Sequence, residues 1–255
     1  MNLKPPMVAL IMYPDFSPFH FSVPYLVFSA QVADHPSFDL KIVTPGGQPL
    51  KAERAMTVQP DGGLEMADMA DILVVPGWHD LDARPAPELV AALVRAYARG
   101  AHVVGLCYGA YVLAYAGLLD GKRASTHWMA EKGFCLRFPR VRLDMNALYV
   151  DEDRLITSAG TGAGLDCCLY LVRGYYGPKI ANKVARTMVI PPIARGDRRN
   201  SLSSPWPPRH RIHRSTGCST TCGKISTSST VLMTWRHGRP RAAARLRVIF
   251  SKRRA

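Results

Sequence analysis

The sequence predicts an α/β fold built on a doubly wound, mostly parallel sheet with a nucleophile elbow. Two observations carry this prediction. Short, continuous apolar runs, as found in strands buried on both faces of a parallel sheet, alternate along the chain with stretches of helical periodicity. One of these runs ends at Cys107, and a helical pattern opens at Gly109, which is how a chain lifts one side chain above the edge of a sheet.

The first half of the chain supplies three strands and two helices. Continuous apolar runs predict the buried strands, and an amphipathic pattern that closes at Gly100 predicts a helix with a glycine C-cap. The predicted strands are residues 7–12, 38–44 and 72–75, and the predicted helices are residues 23–32 and 89–97.

The second half repeats this alternation, beginning with a strand at residues 101–106 that feeds the elbow. The further predicted strands are residues 124–126, 140–144 and 154–158, and the predicted helices are residues 129–137, 164–175 and 179–188. Ligands of such sheets bind beyond the carboxyl ends of the strands. We therefore expect four strand ends to converge on one site, namely the loop of His20, Gly77, Cys107 and Gly160.

Cys107 is the first candidate for a catalytic residue. Gly105 and Gly109 flank it and leave room for a tight turn, which predicts an exposed elbow thiol. The first N–H groups and the dipole of the following helix favour a thiolate, so we expect the thiol pKa to fall from about 8.5 to about 5–7. The alternative is that Cys107 is a small buried apolar residue, as most free cysteines are.

His127 is the second catalytic candidate, because a cysteine with a neighbouring histidine is the minimum for an activated thiol. Taken alone, a histidine at a strand end is more often a hydrogen-bonded structural residue. Backbone N–H groups at Gly77 and Trp78, together with that of Tyr108, could hold an oxyanion. These three residues and His20 are therefore candidate ligand-binding residues.

A glycine-rich turn at residues 157–166 enters a predicted helix and could bind a carboxylate or a phosphate. Its candidate ligand-binding residues are Gly160, Thr161 and Asp166. The turn lacks the lysine and the spacing of a P-loop, so we do not expect nucleotide binding. A turn of this kind that serves only helix packing is an equally good interpretation.

The net charge of +14 is confined to the C-terminal quarter of the chain. Residues 1–194 contain 18 basic residues (Lys and Arg) and 18 acidic residues (Asp and Glu). Residues 195–255 contain 15 basic residues and a single acidic residue, Asp197. Inferences from basicity therefore concern residues 195–255 alone.

The six cysteines lack the spacing of a disulfide framework, the first residues do not resemble a signal peptide, and the apolar runs are too short to span a bilayer. We therefore expect a reduced, cytoplasmic protein that neither enters a membrane nor carries a cofactor. Cys218 and Cys222 could form half of a metal site, but no second pair follows, so no metal is expected.

Seven segments together carry a family resemblance: residues 13–24 (YPDFSPFHFSVP), 74–78 (VVPGW), 105–109 (GLCYG), 117–121 (GLLDG), 126–128 (THW), 157–166 (TSAGTGAGLD) and 184–192 (VARTMVIPP). They resemble the ThiJ/PfpI, class I glutamine amidotransferase-like superfamily, and more narrowly the N-terminal domain of FtrA-type AraC-family transcription regulators. The resemblance implies a flavodoxin-like sheet, and a small-molecule sensor domain at residues 1–192 that forms a homodimer.

Two residues depart from the enzymes of this superfamily. Isonitrile hydratases pair the elbow cysteine with an Asp, and the proteases and deglycases use a Glu, where this chain has His20. Tyr108 replaces the Thr that follows the cysteine in the hydratases. The resemblance therefore implies a ligand sensor rather than an enzyme. The alternative is a cysteine lyase or hydrolase acting on a small electrophile, with Cys107 as nucleophile and His127 as base or orienting residue.

Residues 193–255 stand where FtrA-type regulators continue into a helix-turn-helix domain. These residues are rich in Arg, Ser, Thr and Pro, and their sequence has no helical or strand periodicity. This composition predicts a disordered basic tail. Back-translation in a shifted frame permits segments similar to the family's linker and the start of its helix-turn-helix domain, which favours a frameshift over a genuine basic arm. We expect specific DNA binding to require the missing domain, and the tail to bind DNA only non-specifically.

Overall fold

The computed structural model describes residues 4–31, 38–53 and 56–191. Within these ranges the strands are β1 (Met7–Ile11), β2 (Asp39–Val43), β3 (Leu50–Lys51), β4 (Thr57–Val58), β5 (Ile72–Val75), β6 (His102–Leu106), β7 (Arg123–Ala124), β8 (Arg142–Leu143), β9 (Tyr149–Glu152) and β10 (Leu155–Ser158). The α-helices are α1 (Pro18–Ser29), α2 (Pro87–Arg99), α3 (Gly109–Tyr115), α4 (Glu131–Arg137) and α5 (Gly162–Thr187).

A six-stranded sheet in the order β2, β1, β5, β6, β10, β9 forms the centre of the fold. Its neighbouring strands run parallel except β9, which is antiparallel to β10. The inner strands β1 and β5 are completely buried, as expected for their continuous apolar sequences. The predicted α/β fold with a mostly parallel sheet is confirmed.

Helices cover both faces of this sheet. Successive residues of a strand point to opposite faces, and in β6 Gly105 lies against the start of α3 whereas Leu106 lies against Gly164 of α5. Helix α2 contacts α3, and helix α1 contacts α5. One pair of helices therefore packs on each face, as a doubly wound sheet demands.

Most of the predicted elements are found, with shifted ends. Helix α2 extends beyond its predicted bounds, but it ends where expected, because Gly100 adopts a left-handed φ of 107° and its N–H caps the last turn. The predicted helices at residues 164–175 and 179–188 are the two parts of α5, which breaks at Gly177 before Pro178. Strand β9 was not predicted, because its short and partly acidic sequence lacks an apolar run.

Helix α1 begins at Pro18, five residues before its predicted start at residue 23. Proline suits the first turn of a helix, where its fixed φ and its missing N–H are both tolerated. His20 therefore lies in the first turn of α1 and not in a loop. The predicted loop position of His20 is wrong.

No helix in the described ranges is both long enough and apolar enough to cross a membrane. The predicted basic tail at residues 193–255, with Cys218 and Cys222, lies outside the described residues.

Substitution of Gly109 by Ala is expected to lower the free energy of unfolding by about 1–3 kcal/mol through overpacking. A Cβ on Gly109 would lie 2.2 Å from the carbonyl oxygen of Val75, so β5 and α3 would have to separate. Urea unfolding of the full-length chain, followed by circular dichroism, measures the change.

Gly162→Ala is the matched control for this substitution. A Cβ there would meet no atom of the described chain within 4 Å, so we expect a change within about 0.5 kcal/mol. Equal losses in the two variants would contradict a close approach of β5 and α3.

Candidate functional site

Cys107 occupies a strained turn between β6 and α3. Its φ of 54° is left-handed, a conformation that costs a non-glycine residue about 1–3 kcal/mol. The flanking glycines are needed because the backbone is crowded: a Cβ on Gly105 would lie 2.8 Å from the carbonyl carbon of Gly109. The predicted nucleophile elbow is confirmed.

Backbone contacts from two other segments hold the elbow. The Cys107 N–H donates to the carbonyl oxygen of Ser158 over 3.0 Å, and the Thr126 hydroxyl donates to the Cys107 carbonyl over 3.0 Å. A Cβ on Gly160 would lie 2.4 Å from the Cβ and 2.5 Å from the Sγ of Cys107. The segments that follow β7 and β10 thus meet at the carboxyl end of β6.

The Cys107 thiol is buried, with 1% of the residue exposed, contrary to the expected exposure. Burial raises the pKa of this thiol to about 11, and the Tyr108 N–H, which bonds the sulfur, lowers the pKa by less. No cationic group of the described chain contributes to that pKa. The expected pKa of about 5–7 is therefore wrong, because one backbone N–H at the start of a short helix does not offset burial.

Both candidate histidines are mainly neutral at pH 7. Burial, and then the nearby charge of His127, lowers the pKa of His20, while the carboxylate of Glu53 opposes this shift. Burial also lowers the pKa of His127. The His127 Nδ1 accepts the Met129 N–H over 3.3 Å, so its proton lies on Nε2. Within the described chain, no hydrogen bond joins His127 to the thiol of Cys107.

Tyr13 belongs to this site, although the sequence analysis did not select it. It is 3% exposed, and a Cβ on Gly77 would lie 2.5 Å from its hydroxyl oxygen and 3.3 Å from the Nδ1 of His20. Burial raises the pKa of Tyr13, and the neighbouring Cys107 raises it further. A signal was present, because Tyr13 directly follows an apolar run, at the carboxyl end of a parallel strand.

Trp78 and Tyr108 lie beside these residues. The Trp78 ring packs on Tyr13 with 5.3 Å between centroids, and its Nε1–H donates to the carbonyl oxygen of Ala83 over 3.0 Å. The ring of Tyr108 meets His127 edge-on at 5.4 Å. The indole N–H of Trp78 is therefore already hydrogen-bonded within the protein. The ring of Tyr108 is half-buried.

The glycine-rich turn contributes unequally to the site. Gly160 packs on Cys107, and the exposed Thr161, with a left-handed φ of 43°, precedes the first turn of α5. Asp166 is buried further along α5, where its charge acts on the pKa of Cys167. It is not among the groups that act on the pKa of Cys107. The structure thus brings Gly160 to the elbow and places Asp166 beside another thiol.

Five titratable groups around the elbow are mainly uncharged at pH 7: the thiol of Cys107, the phenols of Tyr13 and Tyr108, and the imidazoles of His20 and His127. Such groups bind and orient a polar molecule through hydrogen bonds. Attack by Cys107 would require a thiolate, which at this pKa is present in about one molecule in ten thousand at pH 7. In the described part of the chain, no cluster of three or more His, Cys, Asp or Glu residues could hold a metal ion.

The sheet order, the elbow and the glycine-rich turn define a recognisable class of protein. Residues 6–173 match the DJ-1/PfpI family, so the chain belongs to that family. The superfamily predicted from the sequence motifs is confirmed.

Two curated relatives and one solved structure are similar to particular parts of the chain. The HTH-type transcriptional regulator CdhR of Pseudomonas aeruginosa is 37% identical over 150 residues, which are 58% of this chain and 44% of that regulator. The isonitrile hydratase of Pseudomonas putida is 26% identical over 179 residues, which are 69% of this chain and 75% of the hydratase. The crystal structure of an AraC family transcriptional regulator from Pseudomonas putida superposes with a TM-score of 0.65 at 25% identity, over 72% of this chain and 100% of that one.

The aligned part of this chain therefore spans less than half the length of CdhR.

The rate at which iodoacetamide alkylates Cys107 is expected to rise about tenfold per pH unit between pH 6 and pH 10, because only the thiolate reacts and its pKa is about 11. Mass spectrometry of the peptide that carries Cys107 follows the reaction in the full-length chain. The exposed Cys135 serves as the internal reference for access of the reagent. A plateau below pH 9 would show that the elbow stabilises a thiolate after all.

Proposed function

We propose that residues 1–192 are the small-molecule-sensing domain of an AraC-type transcription regulator. The observation that carries this proposal is a strained elbow that encloses a protonated thiol: Cys107 keeps a left-handed φ, yet it is buried and has a pKa of about 11. A protonated thiol is a poor nucleophile, so the elbow serves to shape a pocket. The similarity to the regulator CdhR and to the AraC family structure supports this function.

The chemistry around Cys107 narrows the class of ligand. The Tyr13 hydroxyl and the Nε2–H of His127 are neutral donors, and the backbone N–H groups where α3 and α5 begin favour acceptor oxygens. We infer a small polar molecule with a carboxylate or carbonyl group.

The proposal extends to partners and to the C-terminal segment. The sensing domain forms a homodimer, as implied by the superfamily that its motifs resemble. Residues 193–255 replace a helix-turn-helix domain through a shift of reading frame, which accounts for their 15 basic residues and one acidic residue beyond position 194. The chain then contacts DNA through charge alone.

A cysteine enzyme is the second candidate function. The left-handed φ of Cys107 and the 26% identity to an isonitrile hydratase favour it. His20, where the related enzymes have an acidic residue, and the lack of a hydrogen bond between His127 and the thiol in the described chain weigh against it. This candidate predicts turnover that depends on Cys107.

Ligand binding is expected to depend on the neutral donors at the elbow. A panel of small carboxylates and amides is screened by thermal shift on the full-length chain, and hits are titrated by calorimetry. His127→Ala and Tyr13→Phe are expected to weaken binding at least about tenfold, since each removes a hydrogen-bond donor from the site. The control Cys135→Ser, on an exposed face of α4, leaves the affinity unchanged.

The enzyme candidate is tested on the same protein with a panel of esters, peptides, glyoxals and isonitriles. Turnover at about 1–1000 per second that disappears in Cys107→Ala would replace the sensor proposal. Ligand binding without turnover supports the sensor proposal.

The full-length chain is expected to bind duplex DNA without sequence preference, because the 15 basic residues beyond position 194 neutralise phosphates, a contact that carries no sequence information. Fluorescence anisotropy with two unrelated duplexes should give equal affinities that fall at least about 100-fold between 50 and 200 mM salt. A sequence-specific footprint would contradict the proposal. Genomic sequence past the reading frame provides an independent check, since an AraC-type frame should resume there.

A further inference from the structure

A cavity lies at the other end of strand β6 from the elbow. Its volume is about 330 Å³, and it is lined by His102, Asp151, Tyr170, Leu171, Gly174 and Tyr175. These residues belong to the start of β6, the edge strand β9 and the middle of α5. His102 and Cys107 are five residues apart, hence about 16 Å along an extended strand, so this cavity is separate from the elbow site.

The polar side chains of the cavity are held by hydrogen bonds to one another. The Tyr170 hydroxyl donates to the Oδ2 of Asp151 over 2.6 Å, which orients the carboxylate. The Nδ1 of His102 and the hydroxyl of Tyr175 are 3.0 Å apart. Between the two tyrosines, Gly174 leaves open space, since a Cβ there would meet no atom of the described chain within 4 Å. The recess is therefore built from oriented polar groups.

The charges around the cavity favour a cation. Asp151 supplies a carboxylate, and burial lowers the pKa of His102, so that this imidazole is mainly neutral at pH 7. A second carboxylate, that of Asp71, is close enough to raise the pKa of Tyr175, after the larger effect of burial. One carboxylate, that of Asp151, thus lines a pocket whose histidine carries little charge, and the charge of Asp71 reaches Tyr175 at its edge.

The cation that acts on the pKa of His102 is directed elsewhere. Arg154 lowers the pKa of His102, but its guanidinium lies over the ring of Tyr97, 5.0 Å from the centroid, and donates to the Tyr97 carbonyl over 3.3 Å. Within the described chain, the carboxylate of Asp151 keeps its hydrogen bond to Tyr170 and forms no ion pair with Arg154.

We propose that this cavity is a binding site for a small organic ammonium ion. The ammonium group donates to the carboxylate of Asp151 and to the hydroxyl of Tyr175, and the faces of the tyrosine rings attract its charge. Leu171 contacts the apolar body of the ligand. A volume of about 330 Å³ suits a molecule with one ring or one short branched chain.

The test uses three probes with the same ring and different charge: benzylammonium, benzyl alcohol and benzoate. Each is titrated into the full-length chain by calorimetry, and the imidazole signals of His102, His20 and His127 are followed by NMR. Benzylammonium is expected to bind in a saturable way and to shift the signal of His102 alone. Benzyl alcohol should bind at least tenfold more weakly, and benzoate should not bind.

Asp151→Asn removes the carboxylate and is expected to weaken benzylammonium binding at least tenfold. Asp153→Asn is the matched control, because this nearby carboxylate bonds Tyr97 and Lys122 outside the cavity, and it should change the affinity less than twofold. Circular dichroism confirms that both variants fold.

Four results would overturn the proposal: equal binding of the three probes, no loss of affinity in Asp151→Asn, a shift of the elbow histidines in place of His102, or absence of saturable benzylammonium binding. The proposed function at Cys107 shares no residue with this cavity. Only a shift of the elbow histidines would bear on that function, because it would place an ammonium ion at the elbow.

Discussion

The close approach of backbone segments around Cys107 is the constraint on which the site depends. The ends of β5, β6 and β10 and the start of α3 meet there because Gly105, Gly109 and Gly160 place no side chains between them. The carbonyl of Ser158 and the hydroxyl of Thr126 then hold the Cys107 backbone in its left-handed conformation. Packing of this kind stores local strain that the surrounding sheet compensates.

The same packing determines what the thiol can do. Gly160 closes over the sulfur, and burial raises the pKa of Cys107 by more than the Tyr108 N–H lowers it. The histidines nearby are themselves partly buried and uncharged, so they offer hydrogen bonds without an electrostatic pull on the thiol proton. The elbow therefore holds a protonated thiol among uncharged hydrogen-bonding groups.

Helix α5 joins the two regions of interest. Its N-terminal turn follows Gly160 at the elbow, and its middle carries Tyr170 and Tyr175 at the cavity beside His102. The helix breaks at Gly177, just after the cavity residues. One helix thus contributes residues both to the elbow and to the cavity, and different strand ends supply the remaining residues of each.

The sequence by itself determined the fold class, the order of most elements and the elbow, because buried strands, helix caps and the Gly-x-Cys-x-Gly frame are local patterns. Only the tertiary structure decided the burial of Cys107, the helical position of His20, the role of Tyr13 and the separation of Asp166 from the elbow. The reason is physical: solvent exposure and pKa depend on segments far apart in the chain that pack together, and local periodicity carries no information about those neighbours.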